Sequence, residues 1–183
     1  NANLNLEEFL NTQNSSKSIK EIVDEMIAKI GENIIISELR IFNKKNINTS
    51  FYVHNSYRKN IGKIISLLQY SSDKNEEKVK IFAKNLCMHI AALKPEALDE
   101  NNLEKEIIDK EINIQKELIA SSGKPEHVID KILDGKMKKF FSEVTLINQS
   151  FVLDPDKTIK DVILSDYKND NFEIKMFSFL SLT

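Results

Sequence analysis

From Glu76 to Phe140 the apolar residues recur with the period of an α-helix, and two interruptions cut this run into three. The first piece stops at Leu93, because Lys94-Pro95 removes a backbone donor and biases the residue before it away from helical geometry. Asn101 with Glu104 has the spacing of a helix start for the second piece. That piece carries two apolar stripes, Leu103, Ile107, Ile114 and Leu118 on one and Ile108, Ile112 and Ile119 on the other. In Ser121-Ser122-Gly123-Lys124-Pro125, Gly is placed to end one helix and Pro to begin the next. Val128, Ile129, Ile132, Leu133, Met137 and Phe140 give the third piece a broad apolar face. Two helices joined by so short a turn fold back as an antiparallel hairpin. A helix with two stripes needs two neighbours: the hairpin partner covers one, and a second chain or another protein the other.

The flanks follow other patterns. Asn5 with Glu8 starts a short helix over LEEFL, and Ser18 with Glu21 has capping-box spacing. Ile19, Ile22, Val23, Met26, Ile27 and Ile30 then form one helical stripe, closed by Gly31 as a left-handed terminal residue. Runs rich in Ile, Phe and Tyr predict strands over Asn33–Phe42, Phe51–His54 and Ile61–Tyr70. Asp154 is placed to cap a last helix with Pro155 at its first position, and Phe172–Leu182 alternates as a closing strand. Strands and helices come in blocks, not as βαβ units. The expected class is α+β: an antiparallel sheet core with packed helices and an inserted antiparallel helical hairpin.

A chain of 183 residues suits one domain or two small, closely packed ones. Its net charge of −2 gives no global basic field to attract nucleic acid. No apolar run reaches the roughly 18 residues that suggest a membrane helix, so neither insertion nor export is indicated. The single cysteine, Cys87, excludes an intramolecular disulfide and fits a reducing compartment. There is no G-x-x-x-x-G-K-[ST], H-E-x-x-H or G-x-S-x-G, and four glycines leave little room for a phosphate cradle. No catalytic residue, metal or cofactor is predicted.

The individual reactive side chains read as follows. Cys87 and His89, two apart on a helix, face different ways and cannot converge on one metal ion. His89, between Met88 and Ile90, reads as a hydrogen-bonded core histidine, and His127 as a solvated one. His54, at the end of a predicted strand, is by residue type a partner contact, a catalytic base or a turn histidine, the last being the ordinary case. Leu39–Ser72 contains Arg40, Lys44, Lys45, Arg58, Lys59 and Lys63 with no carboxylate, interleaved with Phe42, Phe51, Tyr52 and Tyr57. An RNA-binding sheet uses that mixture, and so does a basic edge that keeps sheets from pairing. The acidic balance of the chain favours the edge, so no direct nucleic-acid contact is expected. Lys136, Lys138 and Lys139 complement a helix C-terminus.

Several segments carry a resemblance. Met88–Glu96 reads M-H-I-A-A-L-K-P-E, Ser122–Glu126 S-G-K-P-E, Gly135–Phe140 G-K-M-K-K-F and Asp154–Thr158 D-P-D-K-T, with V-D-E-M-I-A-K-I-G-E-N over Val23–Asn33 upstream. In this order and spacing the chain resembles the bacterial and organellar elongation factor Ts family, whose members strip GDP from elongation factor Tu. The resemblance implies a remnant of a first core subdomain over 1–47, a second core subdomain over 48–94 and 143–183, and an inserted dimerisation hairpin over 95–142. The family's three-helix module and its T-D-F-V motif, whose Asp and Phe wedge near the partner's magnesium, do not occur in this sequence. A fragment or reduced form that docks without full exchange is therefore expected.

The resemblance also implies site residues. Ile30, Gly31, Glu32 and Asn33 match the family's I-G-E-N turn, and His54 with Asn55 matches its histidine turn, both against the partner. Ile108, Ile112, Ile119, Val128 and Lys136 are implied on the hairpin. Where the family has a short glycine turn after the histidine, this chain has the longer and bulkier Asn55-Ser56-Tyr57-Arg58-Lys59-Asn60. The implied partner is elongation factor Tu, with a homodimer through the hairpin as a second association, in the cytoplasm or an organelle matrix. Exchange needs no covalent chemistry: a partner that disturbs the magnesium and phosphate-loop amides weakens the grip on GDP. The alternatives are a self-associating structural hairpin and RNA binding through residues 40–63.

Overall fold

A computed structural model describes residues 5–42, 47–74, 76–120 and 126–182. It comprises two compact units, Asn1–Asn46 and Ile47–Thr183. The class is α+β with antiparallel sheets, as the block pattern predicts.

In the smaller unit, local capping decides the elements. Helix α1 (Leu6–Leu10) is closed by a reciprocal box: the Glu8 amide donates to Asn5 Oδ1 at 2.8 Å and the Asn5 amide to Glu8 Oε2 at 3.0 Å. Two short strands, β1 (Gln13–Asn14) and β2 (Lys17–Ser18), pair antiparallel and lead into α2 (Ile19–Ile30). Ser18 and Glu21 form the expected box on α2, and Gly31, at φ 77°, ends it with its amide bonded to Ile27 O. The predicted strand over Asn33–Phe42 is not formed. β propensity becomes a strand only when a second strand completes the ladder. Among the described residues of this unit, none pairs with that segment.

The larger unit is built on a three-stranded antiparallel sheet in the order β3 (Asn48–Arg58), β4 (Ile61–Ser71), β7 (Glu173–Ser181). Alternation places Ser66, Leu68 and Tyr70 of β4 on one face, where they are buried. Helix α3 (Glu77–Leu93) covers that face with Val79, Phe82, Ala83, Leu86, Cys87 and Ile90. It ends as predicted: Lys94 takes a left-handed φ of 48° and donates to Ile90 O, just before Pro95. Phe82 is the hub of the core. Its ring stacks on Tyr167 at 4.1 Å and meets Phe172 and Phe151 edge-on at 5.0 and 5.9 Å.

Helices α4 (Lys105–Ala120) and α5 (Glu126–Val144) pack on one another as the predicted hairpin. The turn Ser121–Pro125 and the side chain of His127 lie outside the described residues. The base of the hairpin is sewn shut, with Glu96 donating to Val144 O and Leu146 to Ala97 O, each at 2.8 Å. Asn101 is not the helix start. It sits in a 3₁₀ turn capped by Asp99, and Glu104 O accepts the first amides of α4, from Ile107 and Ile108.

The last helix also begins elsewhere than at Asp154. Residues Asp154–Thr158 form β6, paired with β5 (Ser150–Phe151), and α6 runs Ile159–Asp166. Thr158 and Asp161 make the reciprocal box, with the Asp161 amide on Thr158 Oγ1 at 3.1 Å. Two boxed residues outcompete a lone Asp, and Pro155, with no N–H, is tolerated on a short edge strand.

Buried His89 ties these parts together. The Val152 amide, 3.3 Å away, can only donate, so Nδ1 accepts and the ring proton sits on Nε2, donated to Gln149 Oε1 at 2.9 Å. Gln149 Nε2 donates in turn to Glu143 O at 2.7 Å. Burial holds the His89 pKa below its usual 6.5, with the Gln149 bond acting in the opposite sense.

Two outcomes are expected. Phe82→Ala should cost about 3–5 kcal/mol in urea unfolding, whereas Ile81→Ala, on the exposed side of the same helix, should stay within about 0.5 kcal/mol. For His89, the unfolded chain takes up a proton that the folded one resists. Its contribution is therefore full above the unfolded pKa near 6.5 and is lost as pH falls toward the depressed folded value. Thermal midpoints from about pH 8 to about pH 5 should fall less for His89→Gln than for the natural sequence.

Candidate functional site

Each unit presents one of the two predicted contact regions. In the smaller unit, a helix that ends in a left-handed glycine leaves its last side chain at a corner. Ile30 is 51% exposed there, and Gly31, Glu32 and Asn33 are exposed after it. Nothing lies within 4 Å of where a Gly31 Cβ would be, so glycine serves the backbone angle and not a close approach. An apolar side chain held in water at a rigid helix end is what a docking anchor requires.

In the larger unit, His54 is not at a strand end. The strand continues to Arg58, and the turn is Lys59-Asn60, with Asn60 at φ 64°. The extra residues after His54 thus extend a paired hairpin arm. Asn55, at φ 50°, and a register shift between Ser56 and Arg58 bend the arm just beyond the histidine. Opposite the bend stands Gly62. A Cβ there would meet Val53 Cγ1 at 2.5 Å and His54 O at 2.6 Å, so only glycine lets the strands approach.

The His54 ring is exposed, and its Nδ1 lies 3.0 Å from the Tyr52 hydroxyl. Tyr52 packs its ring against the core. The signal for this pairing in the sequence is spacing alone, since two residues separated by one on a strand share a face. Arg58, Lys59 and Lys63 are exposed on the same hairpin and make no ion pair among the described residues, while Arg40 pairs with Glu38. Lys44 and Lys45 lie outside the described residues.

The hairpin candidates divide. Ile119 is buried, Ile108, Ile112 and Val128 are half-buried, and Lys136 is exposed. Burial also divides the other stripe, in which Leu103 is buried and Ile107 half-buried while Ile114 and Leu118 lie 41% and 58% exposed.

No reactive centre accompanies these surfaces among the described residues. Burial pushes the Cys87 thiol up to about 12, which leaves it uncharged and unreactive. Cys87 neighbours Ser50 and Leu68 on the sheet side, while His89 is committed to Gln149 and Val152. Among the described residues, no three His, Cys, Asp or Glu side chains gather for a metal, and no helix is long and apolar enough to cross a membrane. An open depression of about 300 Å³, lined by Leu93, Ser142, Glu143, Gln149 and Ser150, holds no convergent titratable pair.

Comparison with known proteins agrees with the motifs. The family described as Elongation factor TS matches residues 1–182. Elongation factor Ts of Ehrlichia ruminantium (strain Gardel) is 39% identical over 160 residues, 87% of this chain and 56% of that protein. Those of Rickettsia felis and Rickettsia prowazekii (strain Madrid E) are 34% and 35% identical over 167 residues, 91% of this chain and 54% of theirs. The chain spans about half the length of these relatives. A match that runs through both units, and takes in the I-G-E-N corner and the His54 strand alike, makes this chain a member of the elongation factor Ts family.

Proposed function

We propose that this chain docks on elongation factor Tu and takes part in guanine-nucleotide exchange, without covalent chemistry and without a cofactor of its own. The observation that carries the reading is the family match over residues 1–182, together with solvent-facing Ile30 and His54 at the two motif positions. The setting would be the compartment of translation, bacterial cytoplasm or organelle matrix. We read residues 48–94 with 143–183 as one core subdomain, 95–142 as an insertion and 1–47 as part of another subdomain. The bonds from Glu96 and Ala97 to Val144 and Leu146 support an insertion, since the chain leaves and re-enters at one place.

The energetics set the terms. Whatever weakens GDP binding to elongation factor Tu must itself be weakened equally by GDP. Each tenfold of coupling needs about 1.4 kcal/mol of contact that differs between the two nucleotide states. A second reading, self-association through the hairpin, is favoured by the exposed apolar pair Ile114 and Leu118 on α4. A monomeric mass at all accessible concentrations would remove it.

Titration calorimetry of this chain into nucleotide-free elongation factor Tu should give saturable heat, with an affinity that GDP weakens. Ile30→Ala and His54→Ala should each weaken binding more than about twofold, the scale of a single modest contact. Absence of heat at several temperatures sinks the reading, and a His54→Ala effect below that threshold removes His54 from the contact.

A further inference from the structure

We propose that Tyr52 is a positioning residue for His54: its hydroxyl holds Nδ1, so the imidazole presents Nε2–H outward as a directed donor to an oxygen acceptor on the partner. The proposal rests on the reading of His54 as a contact to elongation factor Tu.

The strand geometry comes first. Tyr52 and His54 point to the same face of β3, opposite Ser66 and Ile64 of β4, and the hydroxyl lies 3.0 Å from Nδ1. The Tyr52 ring is packed against the core, so its hydroxyl is a fixed point and not a swinging arm. The His54 backbone is fixed as well, because Gly62 admits the close approach of His54 O on the paired strand. With backbone and Nδ1 both held, the remaining freedom of the ring is small.

The sense of the bond follows from acid–base chemistry. Phenol is the stronger acid and the imidazole nitrogen the stronger base, so Tyr52 O–H donates and Nδ1 accepts. A neutral imidazole has one donor and one acceptor, which puts its proton on Nε2. That nitrogen has no partner among the described residues, and the ring is exposed. No carboxylate lies between Leu39 and Ser72, so the hairpin itself supplies no anionic acceptor for that proton. A directed N–H donor fits an acceptor oxygen of the partner and rejects a cation.

Tyr52→Phe tests this, since it keeps the ring in the core and removes only the hydroxyl. Imidazole nitrogen NMR of the neutral ring should show the proton on Nε2 in the natural sequence and a mixture of tautomers in Tyr52→Phe. Affinity for nucleotide-free elongation factor Tu should fall about three- to tenfold in that variant, the scale of one oriented hydrogen bond. The same change should do nothing further in a His54→Ala background. An unchanged tautomer in Tyr52→Phe overturns the proposal, as does an affinity loss that persists without His54. If the tautomer shifts but His54→Ala binds normally, it is the contact reading that fails, and the positioning role falls with it.

Discussion

A three-stranded sheet leaves both faces open until something covers one of them, and in the larger unit that covering is the stripe of α3 running from Val79 through Phe82 and Leu86 to Ile90. Each fully buried side chain of that size contributes about 1.5–3 kcal/mol relative to exposure. Ser66 is the polar exception beneath the helix, and it is satisfied: its hydroxyl donates to Cys87 O at 2.6 Å. Without α3 the central strand would lose its cover, the aromatic group around Phe82 would lose its hub, and β3 would lose the support that Tyr52 leans on.

Apolar burial alone does not say where the hairpin and the β5–β6 pair attach. That is decided by directional bonds. His89 reaches from α3 to Gln149 and Val152, and Gln149 reaches back to the end of α5. A buried polar chain of this kind is stable only when every member is paired, so it fixes one arrangement against sliding alternatives. The same turns carry the amide bonds that close the hairpin base. One set of neighbours thus anchors both the helical hairpin and the strand pair that follows it.

Much of this was legible in the sequence. The stops at Gly31 and Lys94-Pro95 and the boxes at Asn5 and Ser18 follow from local chemistry that needs no partner, and the burial of His89 follows from its place between Met88 and Ile90 on an apolar helix, though its hydrogen-bond partners do not. The failures share a cause. Asn33–Phe42 has strand composition, but a strand exists only with a second chain segment beside it. Asp154-Pro155 has the look of a helix start, yet Thr158 and Asp161 form a two-way cap that a single carboxylate cannot match. His54 was assigned to a strand end because pairing beyond it depends on Gly62, a residue whose value lies in the atoms it lacks. The Tyr52–His54 bond was missed for a related reason, since hydropathy ignores what shares a strand face.

The two proposed contact regions are built from different elements but share one property: the backbone at Ile30 and at His54 is held by hydrogen bonds already made. Ile30 precedes a glycine whose amide closes the helix onto Ile27, and His54 lies in a ladder paired through Ile64. This matters for any protein that works by coupling two binding equilibria. In such a protein, contact energy shifts the second equilibrium only as the difference between two states of the partner. Energy spent on ordering a loose loop would count against docking in both states alike and add nothing to that difference. In the proposed docking, pre-formed corners avoid that cost: they strengthen binding to both states alike, and discrimination rests on contacts that differ between the states.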